Sequence, residues 1–164
     1  MLFSCALLLF PPSSLPETGI YFSDASDRLI LGNDSCELTL SKMNGAILTL
    51  LDKMARAPLP LSSRGGCLWG SSFRTDGPLY RGGCGFSASD PNRFSYRWDA
   101  TNAVLTLSYQ GNSAAAQYVN ATVTVTASAE TFFDLRLKLE NHMAAEAFAI
   151  YFPSDLSCPF GKRA

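Results

Sequence analysis

The chain has 164 residues, 47% of them hydrophobic and 16% charged, and its 13 Lys and Arg against 14 Asp and Glu leave a net charge of -1. No basic run or acidic tail occurs, so the electrostatic footprint of a nucleic-acid binder is missing and nucleic acid is excluded as an expected partner. Aromatic residues at 12% supply material for a buried core, which excludes a disordered chain, and the length fits one domain.

The first ten residues, MLFSCALLLF, form an apolar run stopped by Pro11 and Pro12. The run is too short to span a bilayer, so no membrane partner is expected. It reads as the hydrophobic region of a secretory signal over 1–17, although no Lys or Arg precedes it, and leaves 18–164 as a single domain. Four cysteines follow, Cys36, Cys67, Cys84 and Cys158, and an even number in an exported chain suggests two disulfides among three pairings. The Gly-flanked segments GGCLWG and GGCGF allow close backbone approach, which favours Cys67 with Cys84 and leaves Cys36 with Cys158. There is no CxxC, and the single histidine, His142, has no ligand type beside it, so neither a metal site nor a cofactor is expected. The sequons Asn33-Asp34-Ser35 and Asn120-Ala121-Thr122 add glycosylation at Asn33 and Asn120 to the expectation of a secreted, extracellular protein.

Along the domain, period-two alternation dominates. Arg28 to Leu31 is a short strand, and Gly32 to Asp34 its turn. Cys36, Leu38 and Leu40 alternate with Glu37, Thr39 and Ser41, and Asn44-Gly45 then predicts a tight turn returning Ala46 to Leu51 antiparallel. Pro58 and Pro60 end this three-strand meander. The stretches 62–66 and 74–85 read as irregular, with one short strand from Cys67 to Phe73 between them. Regular strands resume with Phe94, Tyr96 and Trp98 on one face, then Leu105, Leu107 and Tyr109. Val119 to Thr126 follows with an apolar face opposite Asn120, and Phe133 to Glu140 alternates Leu with charge. Ala147 to Phe152 is the last. About nine strands joined by hairpin-length links predict an all-β antiparallel sandwich.

No catalytic constellation stands out. His142 is the only base of its type, and no GxSxG surrounds a serine, so serine-hydrolase chemistry has no support. Asp52, Asp90, Asp99 and Asp155 are the acids closest to loops, where acids commonly form turns, and no catalytic residue is assigned. Sugars present C–H faces that stack on aromatic rings, with Arg, Asp or Asn binding their hydroxyls. Among Trp69, Tyr80, Phe86, Tyr96 and Trp98, the two tryptophans together with Arg97 and Asp99 are therefore the candidate carbohydrate contacts. The competing reading is core packing, because Phe94, Tyr96 and Trp98 share one face.

The stretch 33–59, NDSCELTLSKMNGAILTLLDKMARAPL, resembles the opening of galactose-mutarotase-like β-supersandwich domains. With GGCLWG, FSYRWD, FFDLRLKLEN and YFPSDL, the chain looks most like the amino-terminal supersandwich of large secreted glycoside-hydrolase-like proteins of fungi, in which a TIM barrel follows. The resemblance implies a sugar-handling lineage whose catalytic carboxylates belong to the barrel. The histidine pair of mutarotases has no counterpart beside His142. The expectation is a noncatalytic carbohydrate-binding or scaffold domain, the front part of a longer protein and an incomplete fold by itself, with carbohydrate and a downstream barrel as partners. The alternatives are an enzyme of mutarotase or glycosidase type acting alone and a secreted structural or adhesive module without a sugar ligand.

Overall fold

The computed structural model describes residues 19–58, 66–74, 80–83, 93–110, 119–129, 132–142 and 146–152. The leader expected at 1–17, together with Cys84, Cys158, Phe86, Asp90 and Asp155, lies outside them. Alternating apolar and polar residues cannot keep a stripe on a helix but fill one face of a strand, and all regular structure among the described residues is β.

Three antiparallel sheets form. The first runs in chain order through β1 (Tyr21–Asp24), β2 (Arg28–Gly32), β3 (Cys36–Ser41), β4 (Ile47–Asp52) and β5 (Ala57–Pro58). The second contains β8 (Phe94–Asp99), β9 (Val104–Gln110), β10 (Val119–Ala127) and β11 (Phe133–Asn141), ordered β11-β10-β9-β8. A smaller one pairs β6 (Gly70–Arg74) with β7 (Tyr80–Gly83) on one side and β12 (Glu146–Tyr151) on the other. The predicted strands are all present. β1, β5 and β7 are additions, and β7 was hidden because its sequence, YRGG, carries glycines and no alternation.

The two larger sheets face each other as a sandwich. Leu29, Leu31, Leu38, Leu40 and Ile47 of the first meet Leu105, Leu107, Tyr109, Val123 and Val125 of the second in one buried cluster. Register explains the match: Val123 stands opposite Leu107 on one side and Leu137 on the other, and Tyr96 opposite Leu107, so four strands present one apolar face. Each fully buried leucine contributes roughly 1.5–3 kcal/mol relative to an exposed one.

The link between β3 and β4 is longer than a two-residue turn. Gly45 N–H donates to the Ser41 carbonyl at 2.8 Å, and Ser41 N–H to the Ala46 carbonyl at 2.8 Å. Pairing then shifts between Thr39 and Leu40, a bulge that leaves Leu48 outside the core. Gly45 is buried with φ at +68°, and a Cβ there would run into the Tyr109 hydroxyl and the Phe94 ring.

The two sides of the sandwich differ. Where β1 faces β8, Phe22 and Trp98 stack at 4.8 Å with 14° between their planes. Asp24 accepts a hydrogen bond from the Tyr96 hydroxyl at 2.9 Å and an ion pair from Lys42 at 2.6 Å. This seam is tied by ring contact, hydrogen bond and charge. Where β4 faces β11, the apolar walls stand apart.

Replacing Gly45 with alanine is expected to cost about 2 kcal/mol or more, since the left-handed backbone and the lack of room act together. The check is a urea midpoint: a clear drop with the m-value kept is expected, and no drop would contradict the strain.

Candidate functional site

The seam between β1 and β8 opens at one end into a cavity of about 640 Å³ lined by Ile20, Phe22, Trp98, Thr101, Asn102 and Ser128, among others. Phe22, Trp98 and several alanines contribute apolar wall. The Thr101 and Ser128 hydroxyls and the Asn102 amide give it neutral polar groups. Trp98 is held by its stack on Phe22 and remains half-buried, so part of the indole faces the cavity.

Asp99 at the end of β8 shapes the rim. Its Oδ1 accepts the backbone N–H groups of Thr101 and Asn102 at 3.0 and 3.3 Å, and its Oδ2 accepts the Asn102 side-chain amide at 2.8 Å. The last of these bonds contributes most to holding its carboxyl below the usual carboxylate range. Asp99 is thus a turn-forming acid that positions Asn102. Arg97 lies opposite Thr106 on the outer, exposed face of β8, the face Trp98 does not share.

Trp69 does not join the site. It is 1% exposed in the core, edge-on to Tyr109 at 5.6 Å between ring centroids, and its Nε1 has no hydrogen-bond partner among the described residues. The expected sugar contact at Trp69 is corrected: its ring is spent on core packing, because β9 brings Tyr109 onto it. Of the four candidates, only Trp98 and, indirectly, Asp99 meet at one place. Phe22, Thr101, Asn102 and Ser128 were missed, because they come from three separate parts of the chain and carry no local signal.

Asn33 is also reassigned. Its side chain is 1% exposed, and Nδ2, the atom a glycan would occupy, donates to the Ser128 carbonyl at 2.9 Å. Its Oδ1 accepts the backbone N–H groups of Ser35 and Cys36, each at 2.8 Å, and the Cys36 thiol at 3.4 Å. The folded chain has no room for a sugar there. Asn120, by contrast, sits on the outer face of β10, with Nδ2 3.5 Å from His142 Nε2 at the surface.

Cys36 is a buried free thiol, so the expected Cys36–Cys158 bridge is corrected as well. Burial pushes its pKa up, partly offset by the bond to Asn33 and the Lys53 charge. Cys67 and Cys36 are the cysteines among the described residues and are not bonded to each other; the Cys84 expected to pair with Cys67 lies outside them.

Asp24 lies at the other part of the seam. Bonds from Lys42, then Tyr96, hold its carboxyl below the usual range. Among the described residues no group of three or more His, Cys, Asp or Glu could hold a metal ion, and no helix is long and apolar enough to cross a membrane. In comparisons with known proteins, no family model, curated protein or solved structure matches this chain.

Two outcomes are expected. When the chain is expressed in a glycosylating host, peptide mapping of the soluble product should find Asn33 bare. A glycan at Asn33 in folded protein would contradict its burial. Because the folded Asp24 pKa is lowered, its contacts stabilise at neutral pH and are lost as pH falls through that lowered value. The stability difference between the native protein and Asp24→Asn should therefore shrink from about pH 7 to about pH 3, read by urea midpoints. A difference that grows on acidification would show the ion pair to be absent.

Proposed function

We propose that this chain is a noncatalytic carbohydrate-associated β-sandwich of a secreted, glycoside-hydrolase-like lineage, contacting neutral sugar in the cavity beside Trp98. The observation that carries this reading is the pairing of a half-buried indole with the hydroxyl and amide groups of Thr101, Asn102 and Ser128 in about 640 Å³. An aromatic wall suits the C–H face of a pyranose, and neutral donors and acceptors suit its hydroxyls. That volume lies within the range of small-molecule sites, about 300–1,000 Å³.

Binding is favoured over turnover by the acids of the seam. A glycosidase general acid needs a raised pKa. Asp24 and Asp99 are both shifted downward, and their oxygens are engaged by Lys42, Tyr96 and the Thr101–Asn102 turn. In this reading the leader over 1–17 directs export, Asn120 carries a glycan, Cys67 bridges to Cys84, and a downstream barrel is the catalytic partner.

Only two tryptophans are present, so emission is easy to assign: Trp69 is in the core and Trp98 lines the cavity. A glycan array followed by fluorescence titration with the best neutral oligosaccharide should show binding and a change in emission. Trp98→Ala should weaken binding about tenfold or more, the loss of one stacking contact. A flat array at high protein concentration would sink sugar binding and favour a structural or adhesive module. Anomer interconversion abolished by changing one acid would favour an enzyme.

A further inference from the structure

On the side away from the Trp98 seam, the sheets part between β4 and β11 and leave a second cavity, of about 470 Å³. Both sheets wall it: Leu38 and Leu50 come from the first, Phe133 and Leu135 from the second. Phe132 and Met54 also line it, with 54% and 80% of their surface exposed. Apolar surface held open in this way costs free energy in water, and an apolar occupant would recover it.

The polar groups are gathered at one end. Ser35 precedes β3, Cys36 begins it and Asp52 ends β4, and Cys36 and Asp52 are register partners across the two strands. Asp52 Oδ1 accepts the Ala55 N–H at 2.9 Å, and a carboxylate has lone pairs left for a further donor. No cation is among the described residues lining the cavity. Lys53, next in sequence, is turned elsewhere: its Nζ donates to the Asn33 carbonyl at 2.6 Å and lies 4.5 Å from the centre of the Tyr21 ring. Asp52 is thus the one charged residue among the described lining residues and sits at this end, while the rest of the described wall is aliphatic and aromatic.

We infer that this cavity binds an uncharged aliphatic amphiphile, a medium-chain alcohol by chemical class. Its chain lies among Leu38, Leu50 and Leu135, and its hydroxyl donates to Asp52. A fatty carboxylate of equal length is disfavoured, because its head would meet the like charge of the Asp52 carboxylate. The inference is independent of the sugar reading, which concerns the opposite side of the sandwich.

The test uses the whole chain and Nile red, an uncharged apolar dye. Saturable dye emission displaced by decanol, with decanoate weaker by about tenfold or more, is the expected result. Asp52→Asn keeps an acceptor for the Ala55 N–H and should bring decanoate close to decanol. A second measurement locates the ligand: decanol should slow alkylation of Cys36 by N-ethylmaleimide, followed on the Cys36 peptide by mass spectrometry. Absence of saturable dye binding would overturn the inference, as would equal displacement by alcohol and carboxylate in the native protein. It would also fall if the preference survived in Asp52→Asn or if decanol left Cys36 labelling unchanged.

Discussion

A single buried carboxamide ties the two sheets at one end of the sandwich. Asn33 reaches from the β2–β3 turn to the Ser128 carbonyl just after β10, 95 residues along the chain. A buried amide left unpaired costs about 1–3 kcal/mol, so its place is enforced by the need to satisfy it. Both ends are satisfied: Nδ2 crosses to the second sheet, while Oδ1 organises the turn through Ser35 and Cys36. The backbone joins in, with the Asn33 carbonyl taking Lys53 Nζ at 2.6 Å. Because Ser128 also lines the Trp98 cavity, the same contact that closes the sandwich fixes one wall of the candidate site.

From this tie the asymmetry of the fold follows. The first sheet presents β1 to β8, and the Phe22–Trp98 stack and the Asp24–Tyr96–Lys42 contacts draw these edges together. No comparable pair joins β4 to β11 among the described residues, and the apolar walls there enclose space instead of each other. β11 manages its own exposure differently. Its outward charges pair along the strand, Arg136 with Asp134 at 2.8 Å and Lys138 with Glu140 at 2.6 Å. Such exposed pairs add little stability. A charged edge does, however, discourage further strand addition.

The inner faces of the sandwich were legible because burial and alternation are the same local fact. Leu105, Leu107 and Tyr109, or Val123 and Val125, could face only one way once their strands formed. What stayed illegible was decided over long distances. A sequon is three residues, and nothing in Asn33-Asp34-Ser35 announces a carbonyl at position 128. Trp69 lies in the short strand expected from Cys67 to Phe73, and nothing in that stretch announces that β9 places Tyr109 against it. Cys36 was assigned to a bridge by subtraction, yet Asn33 Oδ1 supplies its partner. The site was half legible: Trp98 was named from its strand, and Phe22, Asn102 and Ser128 come to it only through the way the sheets pack.

Closure of the sandwich at this end depends most on the Asn33 carboxamide being buried between the two sheets. Hydrogen exchange by nuclear magnetic resonance reads this directly through its two Nδ2 protons. They are predicted to exchange slowly, on the scale of the backbone amides of Leu107 and Val123, since the side chain is 1% exposed and Nδ2 donates to the Ser128 carbonyl of the other sheet. Exchange of the Asn33 side chain as fast as that of the exposed Asn102 amide, in protein whose strand amides remain protected, would contradict it.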